Sequence, residues 1–238
     1  MNTQWYVLAS SPLTNAPISF RVLPRKDTAI VTAASTGSAD TAIGPAIANL
    51  AADTVARCCV DSLMSLPFGA RDYAQPLATE FSPARVEAGL RLANRYVRAE
   101  LKKAATSSAA ADVVAATVWN GQLVTMYVGS GCAAFLVRGG TTVRLTSTAY
   151  GDAGLYTEIP QIVGLGVDDD CSIHRVVTPL AQGDLVLLAP RHWWGSDRAR
   201  ITDLVAIVEG ASDKTLEPVF EAAAQMSGDF GAVLLRVP

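Results

Sequence analysis

The chain has 238 residues, half of them hydrophobic and only 17% charged, with a formal net charge of −3. That length and apolar content fit one large domain with a sizeable core, so residues 1–238 are read as a single unit. The longest basic cluster is Lys102-Lys103, and no apolar run approaches the roughly 18 residues of a membrane span, which argues against nucleic acid and membranes as partners.

In chain order, residues 5–10, 18–23 and 28–34 read as strands, the third apolar enough to be central. A glycine-containing loop at 35–40 leads into a helix over 41–63. Ile47, Leu50, Ala51, Val55 and Cys58 fall on one face of that helix. Ser82-Pro83 supplies a cap and a first-turn proline for a second helix, which carries Val86, Leu90, Ala93, Asn94 and Val97 and ends near Lys103. Residues 104–111 are small and read as a flexible link.

Strands follow at 113–118, 123–128, 133–138 and 142–145. The alternation of Leu123, Thr125 and Tyr127, then Ala134 and Leu136, supports a hairpin between strand segments. The glycine turn Gly129-Ser130-Gly131 between them reads as a hairpin, closed at its far end by Gly139-Gly140. Residues 150–166 read as irregular, and 173–178 and 184–189 as strands. Helices are expected at 201–210 and 217–225, with a last strand at 231–237. A long central run of strands does not suit alternating strand–helix units; it suits packed antiparallel sheets with helices outside.

Several residues invite chemistry. Asp168-Asp169-Asp170 reads either as a cation-binding turn or as a solvated one, the latter being the ordinary fate of such a run. His174 and His192 are the only histidines, and neither has a Cys or His at ligand spacing. His192, Trp193 and Trp194 form either a recognition surface or a loop anchor. Ser130 lacks the frame of a hydrolase nucleophile elbow. Cys58, Cys59, Cys132 and Cys171 make no zinc spacing and read as buried free thiols. The start Met1-Asn2-Thr3-Gln4-Trp5 lacks a basic segment followed by an apolar one, so no secretory signal is expected and a cytoplasmic location is. The sparse charge leaves two readings of the surface: a neutral contact face, or small residues over ordinary surface.

Across nearly its whole length the chain resembles the bacterial branch of the PPM-type (PP2C-like) serine/threonine phosphatases. Ala33-Ala34-Ser35-Thr36-Gly37-Ser38-Ala39 resembles that family's Ala-Asp-Gly-Ala-Gly-Ser-Ala segment, and Pro17-Ile18-Ser19-Phe20 its Gln-Asp-Ala-Phe segment. Val128-Gly129-Ser130-Gly131 resembles its Val-Gly-Asp turn, and residues 151–158 its Gly-Glu-Tyr-Ala-Asn-Glu-Thr stretch. Residues 179–192 resemble Pro-Leu-x-x-Gly-Asp-x-Leu-Leu-Leu-x-Thr-Asp-Gly, and 228–235 the terminal strand.

The resemblance implies an α+β fold, a four-layer αββα sandwich with two central antiparallel sheets. It also implies a site that has lost its chemistry. Family enzymes hold two manganese or magnesium ions between the sheets, and such hard cations need several oxygen ligands. By the resemblance, Ile18 and Ala34 stand at metal-aspartate positions, Ser35 at a glycine whose carbonyl assists, and Arg191 at a third aspartate. Only Asp229 is kept, and Arg191 is expected to occupy part of the vacated region beside it. The function implied is a catalytically inactive, PP2C-like pseudophosphatase that needs no cofactor and binds a protein such as a kinase or signalling component. Two alternatives stand beside it. One is a phosphoprotein-binding module using Arg191 with Arg198 or Arg200. The other is a divergent manganese- or magnesium-dependent phosphatase using Asp229, Asp184, Asp152 or Asp27.

Overall fold

A computed structural model describes residues 4–9, 18–23, 29–36, 43–60, 83–105, 109–146, 164–190 and 231–237. Two five-stranded antiparallel sheets face each other. The first contains β1 (Gln4–Ala9), β6 (Cys132–Arg138), β7 (Thr141–Arg144), β9 (Leu185–Pro190) and β10 (Gly231–Arg236), in the order β1-β10-β9-β6-β7. The second contains β2 (Ile18–Leu23), β3 (Ala29–Thr36), β4 (Ala110–Trp119), β5 (Gln122–Val128) and β8 (His174–Pro179), in the order β2-β3-β4-β5-β8.

Helices α1 (Ile43–Val60) and α2 (Pro83–Lys103) cover the outer face of the second sheet. This is the αββα-type sandwich expected. The helices expected at 201–210 and 217–225, which would flank the other sheet, lie outside the described residues. Among the described residues no helix is long and apolar enough to cross a membrane.

The period-2 alternation of strands sorts β4 and β5 between two cores. Val113, Ala115, Val124, Met126 and Val128 pack under α1 and α2. Val114, Ala116, Leu123, Tyr127, Ala134, Leu136 and Leu188 fill the space between the sheets. On α2, Val86, Leu90, Ala93, Asn94, Val97 and Leu101 are buried at helical spacing. α1 turns Ile47, Ala48, Ala51, Ala52, Val55 and Cys59 inward, and its alanines let α2 come close. At Gly89 a Cβ would sit 2.9 Å from the Val55 Cα, so only glycine fits the crossing.

Two sequence readings are corrected. Residues 109–111 are not a link. Ala109, Ala110 and Ala111 are buried, β4 starts at Ala110, and Leu165 exchanges backbone hydrogen bonds with Ala111. Glycine is required at 164 by volume: a Cβ there would lie 2.8 Å from the Ala110 Cβ. The second correction concerns Gly129-Ser130-Gly131, which is not a hairpin. β5 pairs with β4 and β8, whereas β6 pairs with β7 and β9. The chain therefore crosses from one sheet to the other through these three residues. Among the described turns, two-residue hairpins join β4 to β5 through Asn120 (φ 50°) and Gly121 (φ 76°), and β6 to β7 through Gly139 (φ 54°) and Gly140 (φ 72°).

Candidate functional site

The register of three neighbouring strands brings the sequence-predicted positions together. Ile18 of β2 lies opposite Ala34 of β3, and Ala34 lies opposite Asp112 of β4. Strands sit about 4.8 Å apart, so the three form one short row across the sheet. Ser35, next along β3, is opposite Ala111. Asp112 shares its face of β4 with Val114 and Ala116, the face turned to the other sheet.

The Asp112 side chain is 1% exposed. Its Oδ1 accepts a hydrogen bond from the Ser130 backbone N–H at 3.0 Å. Its backbone carbonyl accepts one from the Cys132 thiol at 3.6 Å. The turn bends at Gly129, whose φ of 79° favours glycine. Cys132, the first residue of β6, is paired with Pro190, the last of β9, so Arg191 follows directly after this end of the sandwich. Ile18, Ala34, Asp112, Ser130, Cys132 and Pro190 thus belong to one end of the fold. Arg191, His192, Trp193, Trp194 and Asp229 lie outside the described residues.

Asp112 was not singled out from the sequence. The three alanines before it made the segment look like a link. The signal that marks it is an acid set inside Ala109-Ala110-Ala111-Asp112-Val113-Val114-Ala115-Ala116, with apolar residues on both sides. Among the described residues it is the only acidic residue within a strand.

The donors of this row do not fit a two-cation centre. A pair of divalent ions about 3.5–4 Å apart needs shared carboxylates and a shell of oxygens. Here one of the three positions carries a carboxylate, and isoleucine and alanine carry no donor atom. Among the described residues there is no group of three or more His, Cys, Asp or Glu side chains that could hold a metal ion.

The remaining candidates are placed elsewhere. Asp184 precedes β9, about 20 Å along the strand from Pro190. It is fully buried and engaged: Arg138 reaches it with Nε at 2.7 Å and Nη2 at 2.6 Å, and the Ala181 N–H donates at 2.7 Å. Burial alone would raise its pKa, but the Arg138 hydrogen bonds, the Ala181 amide and the Arg138 charge together hold it below the ordinary aspartate value. Asp184 is therefore a structural carboxylate, and it is not brought to the row.

The acidic turn 168–170 is exposed but not merely solvated. Asp170 pairs with Arg91 at 2.8 Å, and Asp169 pairs with Arg98. Buried Asn94 fastens the turn to α2. Its Oδ1 accepts from the Gly166 N–H at 2.7 Å, and its Nδ2 donates to the carbonyls of Asp168 and Asp169 at 3.0 and 3.3 Å. Burial works against the Arg91 guanidinium, but the hydrogen bond and charge of Glu87, with Asp170, outweigh it and raise the pKa. His174 is exposed and stacks on Tyr127 with ring centroids 5.0 Å apart.

All four cysteines are buried and free, as expected. Burial pushes the Cys59 thiol well up, with Cys58 adding and Arg85 opposing. Burial also raises Cys171 against the pull of Arg91. Neither is a thiolate nucleophile at neutral pH.

Neither any protein-family model nor any curated protein matches the chain. Solved structures do. A serine/threonine phosphatase from S. agalactiae matches with a TM-score of 0.68 at 14% identity, covering 100% of each chain. PppA of Pseudomonas aeruginosa, described as a key regulatory component of T6SS, matches with a TM-score of 0.65 at 15% identity, covering 100% of this chain and 97% of that one. The catalytic domain of the serine/threonine phosphatase PstP, solved with 2 manganese ions, matches with a TM-score of 0.65 at 17% identity, covering 98% and 96%. The fold is that of the bacterial PPM phosphatases. Identities this low carry the fold and not the activity.

Proposed function

We propose that the chain is a catalytically inactive phosphatase-fold module, one unit over residues 1–238, that acts by binding another protein. The observation that carries this reading is the row Ile18–Ala34–Asp112. The strands that would present metal ligands are kept, while two of the three side chains offer no oxygen. On this reading Arg191, at the end of β9, puts a fixed positive charge where a cation would sit, and Asp229 is its partner. His192, Trp193 and Trp194 follow it and supply aromatic surface for a protein contact.

Phosphatase folds recognise phosphoproteins, so a kinase or another signalling component is the partner class. PppA, of the same fold, is described as a regulatory component, which is in keeping with a role exerted through other proteins. The reading as a divergent phosphatase loses Asp184 as a ligand, because that carboxylate is committed to Arg138.

The test is a manganese titration by calorimetry together with a phosphoserine-peptide assay in manganese. The expected outcome is no stoichiometric binding and no turnover. Manganese-dependent turnover abolished by Asp229→Ala would overturn the inactive reading. Affinity capture from native extract with the wild-type chain and a variant carrying Trp193→Ala and Trp194→Ala tests the partner half. A specific protein retained by the first and lost by the second is expected, and equal capture by both counts against the aromatic surface.

A further inference from the structure

We infer that Asp112 crosslinks the two sheets at the candidate site, holding the crossover at the Ser130 amide and the start of β6 at the Cys132 thiol. This rests on the metal-free reading above and adds how the site keeps its shape.

The geometry comes from three facts. First, the ladder between β4 and β5 ends with Val113 opposite Val128, and the ladder between β6 and β9 begins with Cys132 opposite Pro190. Residues 129–131 therefore belong to neither ladder, and the register gives their N–H groups no sheet partner. A polar backbone group left unpaired next to a core is costly. Second, Asp112 lies one step beyond Val113, level with the point where the chain leaves the second sheet. Its carboxyl oxygen Oδ1 reaches the Ser130 N–H at 3.0 Å. Third, the same residue's carbonyl takes the Cys132 thiol at 3.6 Å, so one residue of the second sheet grips both the crossover and the first residue of β6.

Side-chain length matters here. Aspartate places its oxygens beside its own strand, close enough for the neighbouring turn. Alanine would leave the crossover amide without this acceptor. Asparagine keeps a carbonyl oxygen of the same reach. Asp112 itself is buried while Ser130 is half-buried, so the acceptor side of the bond is shielded from water.

The test is amide hydrogen exchange of the full chain followed by NMR, with EDTA present and then with manganese. In Asp112→Ala the Ser130 amide is expected to exchange about tenfold faster, while the amides of α2 keep their rates. In Asp112→Asn it is expected to stay within about twofold of wild type, since the acceptor is kept. Unchanged Ser130 exchange in folded Asp112→Ala, or Asp112→Asn as fast as Asp112→Ala, overturns the crosslink and leaves the metal-free reading standing. A wild-type melting temperature raised by manganese, with Ser130 still exposed by Asp112→Ala, overturns the metal-free reading and leaves the crosslink standing. If Asp112→Ala does not fold, the wild type decides. A coupling across the hydrogen bond between the Ser130 amide nitrogen and the Asp112 carboxyl carbon is expected, and its absence with a fast-exchanging Ser130 amide overturns the crosslink.

Discussion

At the scale of single residues, two carboxylates are buried among the described residues, with different tasks. Asp112 stands in the candidate row. Asp184 ties together the start of β9, the Arg138 end of β6 and the C-terminal backbone, since its carbonyl accepts from the Val237 N–H at 2.9 Å. Asp184→Asn is expected to lower unfolding stability at neutral pH by about 1–3 kcal/mol, because the Ala181 amide and the guanidinium lose a charged acceptor. Arg138 is half-exposed, so solvent screens the ionic share, and most of the loss belongs to the hydrogen bonds. The pH dependence has a definite sign. The folded pKa of Asp184 is lowered, so its contribution is complete above the ordinary aspartate pKa of about 3.9 and is lost as pH falls through the lower folded value. Urea unfolding of wild type and Asp184→Asn across this range checks it. The gap between them should close on acidification, and a gap independent of pH would contradict the assignment.

Residue-level legibility followed burial. Asn94 and the four cysteines could be placed from helical spacing and from the absence of partner spacing. Asp112 could not, because nothing in a lone aspartate beside alanines says that a turn eighteen residues later will present an N–H to it.

Elements were more legible than residues. Both described helices and all ten strands have counterparts in the sequence pattern, and most bounds differ by one or two residues. The reason is that apolar periodicity is a local property. What the pattern could not decide was pairing. A glycine turn between two alternating segments looks the same whether the second strand returns to its neighbour or joins the opposite sheet. The choice is made by which core the next side chains fill, and that is a tertiary fact.

Close element packing yields a further test. Gly89 sits where α2 crosses α1, and an added Cβ would meet the Val55 Cα at 2.9 Å and the Cys58 Cβ at 3.2 Å. Alanine raises helix propensity by about 1 kcal/mol, but the obstruction includes backbone, which cannot rotate away. Gly89→Ala should therefore destabilise, by about 1–3 kcal/mol from overpacking before the propensity gain is subtracted. Thermal unfolding decides the sign, and a raised melting temperature would mean that the helices separate at little cost.

At the scale of the whole molecule, the order of strands and helices carried the architecture, and solved structures of 14–17% identity share it over nearly the full chain. On the proposed reading, function separates from fold at the row across β2, β3 and β4, and that separation sets the outcome of restoring one ligand. Arg191 follows Pro190 at the site end of β9, so Arg191→Asp puts a carboxylate back at one position that the resemblance assigns to a metal ligand. Ile18 and Ala34 still contribute nothing, and a divalent pair needs a complete cage of oxygens. By the resemblance the new carboxylate would stand beside Asp229, and two nearby acids resist joint ionisation. The variant is therefore expected to show no manganese-dependent hydrolysis of a phosphoserine peptide, no tighter manganese binding than wild type, and a lower melting temperature. Ile18→Asp and Ala34→Asp added to it supply carboxylates in register with Asp112, and in that triple variant manganese affinity should rise measurably. Turnover in Arg191→Asp alone would show that the row is not what limits the chemistry.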